Sequence, residues 1–439
     1  MENGIITVKF GGTSLADADN IQRAADIVRS DPRRRVVVVS APGKRGKDDI
    51  KVTDLLYACC EHAEAGRDFM PALEAVKARF SEILAGLNLS FPLEEEMRAI
   101  AEAVARGAGR DYVASRGEYL NAKIVAALLG FTFADAAENI FFTAEGRLDE
   151  AKTYATLAGT LSGTAGTVLP GFYGSDPAGR VKTFSRGGSD VSGAIAARAA
   201  GAAVYENWTD VSGMLFADPR IVPHPPVIGY ITYRELRELS YMGASVLHED
   251  AVFPVRQAGI PIRIRNTFRP QDEGTRIVAD LPGDILRRTV TGIAGRKGFT
   301  SILVERSMMN GEVGFGVRLL KIFSDHGIPF EHCPTGIDTV SVVVNSEHFD
   351  ADEEDILREI NEQLTPDYMA VHKHLAMIAV VGQGLVTAKG YASRIFSALA
   401  GEGIAIRMID AGSSEMNVIV SVDEENYEAA LRALAREFA

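Results

Sequence analysis

The run Arg35–Ser40, RVVVVS, limits most strictly how this chain can fold. Four consecutive valines leave no polar face for water, so the strand they form must be covered on both sides. Further strand candidates are Ile5–Phe10, Phe131–Ala134, Val168–Phe172, Ala203–Trp208 and Ile262–Arg265. Helical patterns separate them at Asn20–Arg29, Glu118–Leu129, Val191–Ala200 and Arg234–Met242. Such alternation predicts an α/β domain whose largely parallel sheet is sandwiched between helices. The cluster Arg33-Arg34-Arg35 is expected on a solvated edge of that sheet.

At 439 residues the chain exceeds what one core usually supports, so two or three domains are expected. A formal net charge of −13 with no long basic cluster argues against a nucleic-acid partner. No basic start followed by an apolar stretch marks a signal peptide, and no apolar run reaches the ~18 residues of a membrane span. Cys59, Cys60 and Cys333 have neither disulfide-framework nor zinc spacing, and no metal site is expected among the side chains. A cytoplasmic protein is the plain expectation.

The pattern changes near Thr275–Gly283, where Asp280-Leu281-Pro282-Gly283-Asp284 reads as a linker. A weak repeat follows. Its first copy runs strand Thr300–Glu305, helix Gly316–Asp325, strands Ile328–His332 and Val340–Val344, helix Glu354–Gln363, strand Met369–His372. The second runs Ala376–Val381, helix Tyr391–Gly401, Ile404–Ile409, Met416–Val422, helix Glu425–Glu437. It is one strand short, and Val290–Gly295 is expected to supply that strand, with the first copy inserted between. The expected organisation is a catalytic domain over 1–280, linker and strand over 281–296, and repeat units over 297–373 and 374–439. In each copy a glycine, Gly327 or Gly403, ends a helix before a strand.

Lys9-Phe10-Gly11-Gly12-Thr13-Ser14 closes the first strand. Two glycines let backbone N–H groups approach a phosphate, and Lys9 would place a compact positive charge beside it. The lysine precedes the glycines, so this is not a P-loop, and alone such a segment is more often just a tight turn. Ser185-Arg186-Gly187-Gly188-Ser189-Asp190 opens a helix, either as an anion seat or as a turn capped by Ser189 or Asp190. Glu118, in Ser115-Arg116-Gly117-Glu118, is expected to begin a helix, where an acid suits the positive end. Trp208-Thr209-Asp210 and Asp218-Pro219-Arg220 follow a strand, where open α/β sheets bind ligands.

In this order KFGGTS, VVSAP, SRGE, SRGGSD, WTDVSGMLFADPR and MGASVLHE resemble the aspartate kinase family, and the resemblance covers essentially the whole chain. It implies an amino acid kinase fold followed by two ferredoxin-like βαββαβ ACT domains. It further implies phosphoryl transfer from ATP, with Mg2+, to L-aspartate. By this likeness Lys9 stabilises the transferring phosphoryl group, Asp190 orients Lys9, and Gly11 and Gly12 offer backbone donors. Arg186 holds the substrate α-carboxylate and Glu118 its ammonium. Ser40, Thr53 and Ser189 are polar substrate contacts, and Thr209, Asp210 and Arg220 contact nucleotide.

The sequence departs from many relatives at Ser245, where they carry a nucleotide-contacting lysine, and at Leu215, where they carry a tyrosine. The loop between Ser40 and Thr53, with Lys44, Arg45, Lys47 and Lys51, is either a lid over phosphates or a surface loop. Glu331 and Asp338 resemble effector-binding positions of lysine-sensitive relatives, though acids on a surface fit as well. The implied effector is lysine, or else threonine, acting on a homodimer or homotetramer joined through ACT domains. Two alternatives stand beside this reading: a sibling kinase acting on glutamate, acetylglutamate or a nucleotide, and an amino-acid sensor without activity.

Overall fold

The computed structural model describes residues 4–185, 187–244, 247, 249–283, 289–411 and 416–439. Arg186 and Ser245 therefore lie outside the described residues, as does Asp284 of the expected linker. The chain forms two compact units. One comprises residues 1–214, 227–233 and 246–282, the other 215–226, 234–245 and 283–439. A single boundary after residue 280 thus misses two short segments that group with the C-terminal part.

Among the described residues, ten strands build the first unit: β1 (Ile6–Phe10), β2 (Arg34–Val39), β3 (Thr132–Phe133), β4 (Thr167–Pro170), β5 (Tyr173–Ser175), β6 (Val181–Thr183), β7 (Val204–Thr209), β8 (Tyr230–Thr232), β9 (Ile262–Asn266) and β10 (Thr275–Val278). Eight of them form one sheet in the order β3-β4-β2-β1-β7-β9-β10-β8, and β5 and β6 form a hairpin. Neighbours run parallel except β9 and β10. Val36 to Val39 are all buried, as their lack of a polar face requires. Burial of each such side chain contributes about 1.5–3 kcal/mol.

Alternate residues divide between the two faces of the sheet. Ile6, Val8 and Phe10 join a core formed with helices Ala18–Arg29, Val52–Glu64, Met70–Leu87, Leu93–Ala105 and Arg110–Leu129. Lys9 turns the other way, toward helix Gly188–Ala199. Cys59 and Cys60 pack in the first core as free thiols, and burial pushes both up to about 11. Arg34 is also buried, contrary to the solvated edge expected for it. It opens β2 and pairs at 2.8 Å with Glu206 of β7, a buried carboxylate that Arg265 also reaches at 3.7 Å.

The second unit carries one six-stranded sheet, β12-β13-β11-β14-β16-β15. Its strands are β11 (Gly292–Glu305), β12 (Phe330–His332), β13 (Thr339–Asn345), β14 (Tyr368–Val381), β15 (Met408–Asp410) and β16 (Asn417–Asp423). Segments expected as separate strands are fused here. Val290–Gly295 and Thr300–Glu305 fall on β11, and Met369–His372 and Ala376–Val381 on β14. The first part of β11 pairs with the last part of β14, which pairs with β16; its last part pairs with β13. Register shifts between Lys297 and Ser301 mark the passage from one half to the other. Gly327 and Gly403 adopt left-handed φ of 70° and 69° after their helices, but the next strands start only at Phe330 and Met408.

Candidate active site

Lys9 stands at the C-terminal end of β1, in register with Asn207 of β7. Its ammonium lies 2.5 Å from Asp190 Oδ1 on helix Gly188–Ala199, and only 9% of its side chain is exposed. The same oxygen accepts from Asn207 Nδ2 at 2.9 Å. Tyr205 donates its hydroxyl to the Asp190 carbonyl at 3.1 Å. Two alternate residues of one strand therefore fix Asp190 by side chain and main chain.

The helix bearing Asp190 starts differently from expectation. Its N-cap is Gly187, at φ 56° and ψ 23°, with no side-chain cap, so neither Ser189 nor Asp190 caps it. That left-handed geometry suits glycine. Ser189 instead packs on Gly171, where an added Cβ would come within 2.7 Å of the Ser189 hydroxyl.

Of the two glycines after Lys9, Gly11 has its N–H committed to Trp208 O at 3.0 Å, extending the sheet, so it is not the free donor expected. Gly12 meets Gly43 closely. Gly43 N donates to Gly12 O at 2.9 Å, and a Cβ on Gly43 would lie 2.6 Å from the Gly12 carbonyl carbon. The loop after β2 therefore sits directly on the turn after β1. Its basic stretch is tied down: Arg45 pairs with Asp49 and Glu82, and buried Arg79 reaches Asp49 at 2.5 Å and Gly43 O at 3.0 Å. Lys44, Lys47 and Lys51 are exposed.

Glu118 does not begin a helix but lies within Arg110–Leu129. It accepts from the Ala41 N–H, while its Oε2 has no partner among the described residues. Burial pushes its carboxyl up to about 8, against smaller lowering effects of the Ala41 and Glu118 N–H groups and the Arg116 charge. Asn121, one turn on, donates to Ser40 O at 2.7 Å and leaves its own Oδ1 buried and unpartnered among the described residues. Gly117 permits this approach, for a Cβ there would lie 2.8 Å from that of Ala41 and 3.3 Å from Val52. Ser40, the helix start bearing Thr53, and Glu118 are thereby gathered in one region.

Thr209 ends β7 and Asp210 follows it. Thr209 O accepts from Thr267 N at 2.8 Å, and Asp210 is exposed. Arg220, expected beside them, groups with the other unit, exposed and paired to Asp218 at 2.6 Å. Glu331 also has partners: Arg296 at 3.0 Å and the Tyr241 hydroxyl. Asp338 is exposed and accepts from Met308 N at 2.8 Å. No cluster of three metal-ligating side chains occurs among the described residues. Sequence reading passed over Asn207, Asn121 and Arg79. The available signal for Asn207 was an amide side chain within an otherwise covered strand.

A phosphate-sized anion would find a lysine at a strand end, a glycine turn beneath a clamped loop, and a helix N-terminus facing them. Such an arrangement on a parallel sheet is that of a small-molecule phosphotransferase. The amino acid kinase family model matches residues 4–266, and an ACT domain model matches residues 378–438. Aspartokinase 3 of Bacillus subtilis is 39% identical, over 98% of each chain. The solved aspartate kinase of Clostridium acetobutylicum is 46% identical, with a TM-score of 0.91, covering 99% of this chain and 100% of its own. Escherichia coli aspartokinase III, solved with aspartate and ADP in its R-state, is 28% identical with a TM-score of 0.74, each chain covered to 99%. This chain belongs to the amino acid kinase family. Within it, the chain is a member of the aspartokinases, with ACT sequence at its C-terminal end.

Proposed function

We propose that this protein transfers the γ-phosphoryl group of ATP to the side-chain carboxylate of L-aspartate. The products are ADP and 4-phospho-L-aspartate, at the head of lysine, threonine and methionine synthesis. The observation that carries the reading is Lys9, nearly buried at a strand end with, among the described residues, Asp190 to answer its charge. The acceptor carboxylate, with a reference pKa near 3.9, is already ionised at neutral pH and needs no general base. The difficulty is bringing two anions together, so Lys9 and the N-terminus of helix Gly188–Ala199 supply the positive potential. Gly12, rather than Gly11, is the glycine that faces phosphate. Glu118 and Arg186 hold the substrate ammonium and α-carboxylate, with Ser40, Thr53 and Ser189 around them, and Thr209 and Asp210 lie toward the nucleotide.

Asp190 is engaged by Lys9, and the described residues offer no carboxylate cage. They fit a magnesium ion held mainly by the nucleotide phosphates, which neutralises their charge when bound. Regulation by an amino acid, lysine first, is supported by Escherichia coli aspartokinase III solved with lysine and aspartate in its T-state. Exposed Met308, Val313 and Ile337 support assembly through the ACT region. An aspartate-dependent hydroxamate assay with ATP and magnesium tests the reaction. Lys9→Ala should lower turnover by roughly 10²–10³-fold, as loss of a preorganised charge does. Activity on glutamate in place of aspartate would overturn the reading.

A further inference from the structure

Asn207 is 3% exposed on a central strand, and its register partner across the sheet is Lys9. One oxygen of Asp190 serves both residues, Lys9 Nζ at 2.5 Å and Asn207 Nδ2 at 2.9 Å. An incoming phosphoryl group draws the Lys9 ammonium toward its own charge and loosens the hold on that carboxylate. When the ammonium shifts, Asp190 loses its cation in a site where 18% of its side chain is exposed. An unheld carboxylate would follow the lysine or turn toward the phosphates, opposing their charge.

We propose that Asn207 is a positioning residue for phosphoryl transfer, keeping Asp190 in place while Lys9 moves between that carboxylate and the phosphates. The inference rests on the phosphotransferase reading above. Nδ2 must face Asp190, since an ionised carboxylate only accepts. Tyr205, two residues earlier, holds the Asp190 carbonyl, so β7 anchors both ends of this residue. Asn207 Oδ1 is buried with no partner among the described residues. A buried acceptor left this way is costly, and the ammonium of Lys9 carries three donors that one carboxylate oxygen cannot use. The amide thus offers Asp190 a fixed donor and Lys9 a second seat.

Among the described residues, the charged neighbours on this face are Lys9 of β1 and Asp190 of the covering helix. On β9 the register partner of Asn207 is Ile264, which carries no charge. Glu206, Arg34 and Arg265 form their ion cluster around Trp208, whose side chain points to the opposite face.

The test compares wild type, Asn207→Leu and Asn207→Asp by hydroxamate formation across pH, with thermal unfolding of each. Asn207→Leu should lose about 10–100-fold in kcat with KM for ATP and aspartate within about threefold, the pattern of an interaction needed at the transition state. Asn207→Asp can donate to Asp190 only while protonated, so its activity relative to wild type should fall as pH rises. A Leu variant with wild-type kcat, or an Asp variant with the wild-type pH profile, overturns the inference. If the Leu variant does not fold, the Asp profile decides alone. Wild-type protein inactive on aspartate overturns the parent reading and this inference with it; an active wild type with an unaffected Leu variant overturns this inference only.

Discussion

Glu118 sits in an environment that keeps its carboxyl protonated until about pH 8, because burial outweighs the N–H groups and Arg116 nearby. Under the proposed role of Glu118 as the seat of the substrate ammonium, the carboxylate is needed, so binding aspartate would release that proton. Affinity for aspartate should therefore improve as pH rises from about 6 to 8, and KM should fall over that range. Glu118→Gln should raise KM for aspartate by about tenfold or more and flatten its pH dependence, since truncating a buried charge-assisted contact costs about 1.5–3 kcal/mol. Steady-state kinetics at several pH values checks both. The linked effect on stability has the opposite sense. Between the ordinary value of 4.5 and about 8 the folded protein binds more protons than the unfolded chain, so stability declines as pH rises through that window. The Gln variant should lose that part of the slope in denaturant melts taken across pH.

Lys9 and Asp190 were legible as residues because each stands at the edge of an element, where sequence pattern changes. Glu118 was placed wrongly for a physical reason. Its helix buries Ser115, Arg116, Glu118 and Asn121 along with its apolar residues, so no apolar stripe marked its true start at Arg110. Asn207 stayed unseen because a single strand does not say which neighbour it will face.

At the level of elements, β7 organises the unit by its two faces. One presents Tyr205 and Asn207 to Asp190. The other presents Glu206, which gathers Arg34 at 2.8 Å, Arg265 at 3.7 Å and the Trp208 indole N–H at 2.9 Å. Both arginines also lie over the Trp208 ring. This ties the start of β2 and β9 to the strand between which the site is built. Replacing one partner leaves buried charges uncompensated, so Glu206→Gln should destabilise by about 3–5 kcal/mol. The midpoint in denaturant measures it, and a loss below about 1 kcal/mol would assign the cluster a minor role. The valine run of β2 was readable from sequence; the burial of Arg34 was not, because its partner is 172 positions away.

At the scale of the whole molecule, the repeat was legible but its fusion into two long strands was not, since the bulges at Gly298 and His374 shift the register without ending either strand. Helix Tyr233–Tyr241 starts in the kinase unit and continues, from residue 234, in the other. At its end the Tyr241 hydroxyl donates to Glu331, whose carboxylate also pairs with Arg296 at 3.0 Å. An effector acts only by binding two states differently, so a charge shared between this helix and β12 is a place where its binding could be felt along the chain. Glu331→Gln keeps the shape and removes the charge. Basal kcat and KM should stay within about twofold, while the lysine concentration for half inhibition should rise about tenfold, a loss near 1.4 kcal/mol. Calorimetry then separates two roles. Lysine heat retained without inhibition means that Glu331 carries the response, and heat lost with inhibition means that Glu331 holds the ligand. Unchanged inhibition would leave the Glu331–Arg296 pair as packing between β12 and β11, and would remove Glu331 from the proposed effector response.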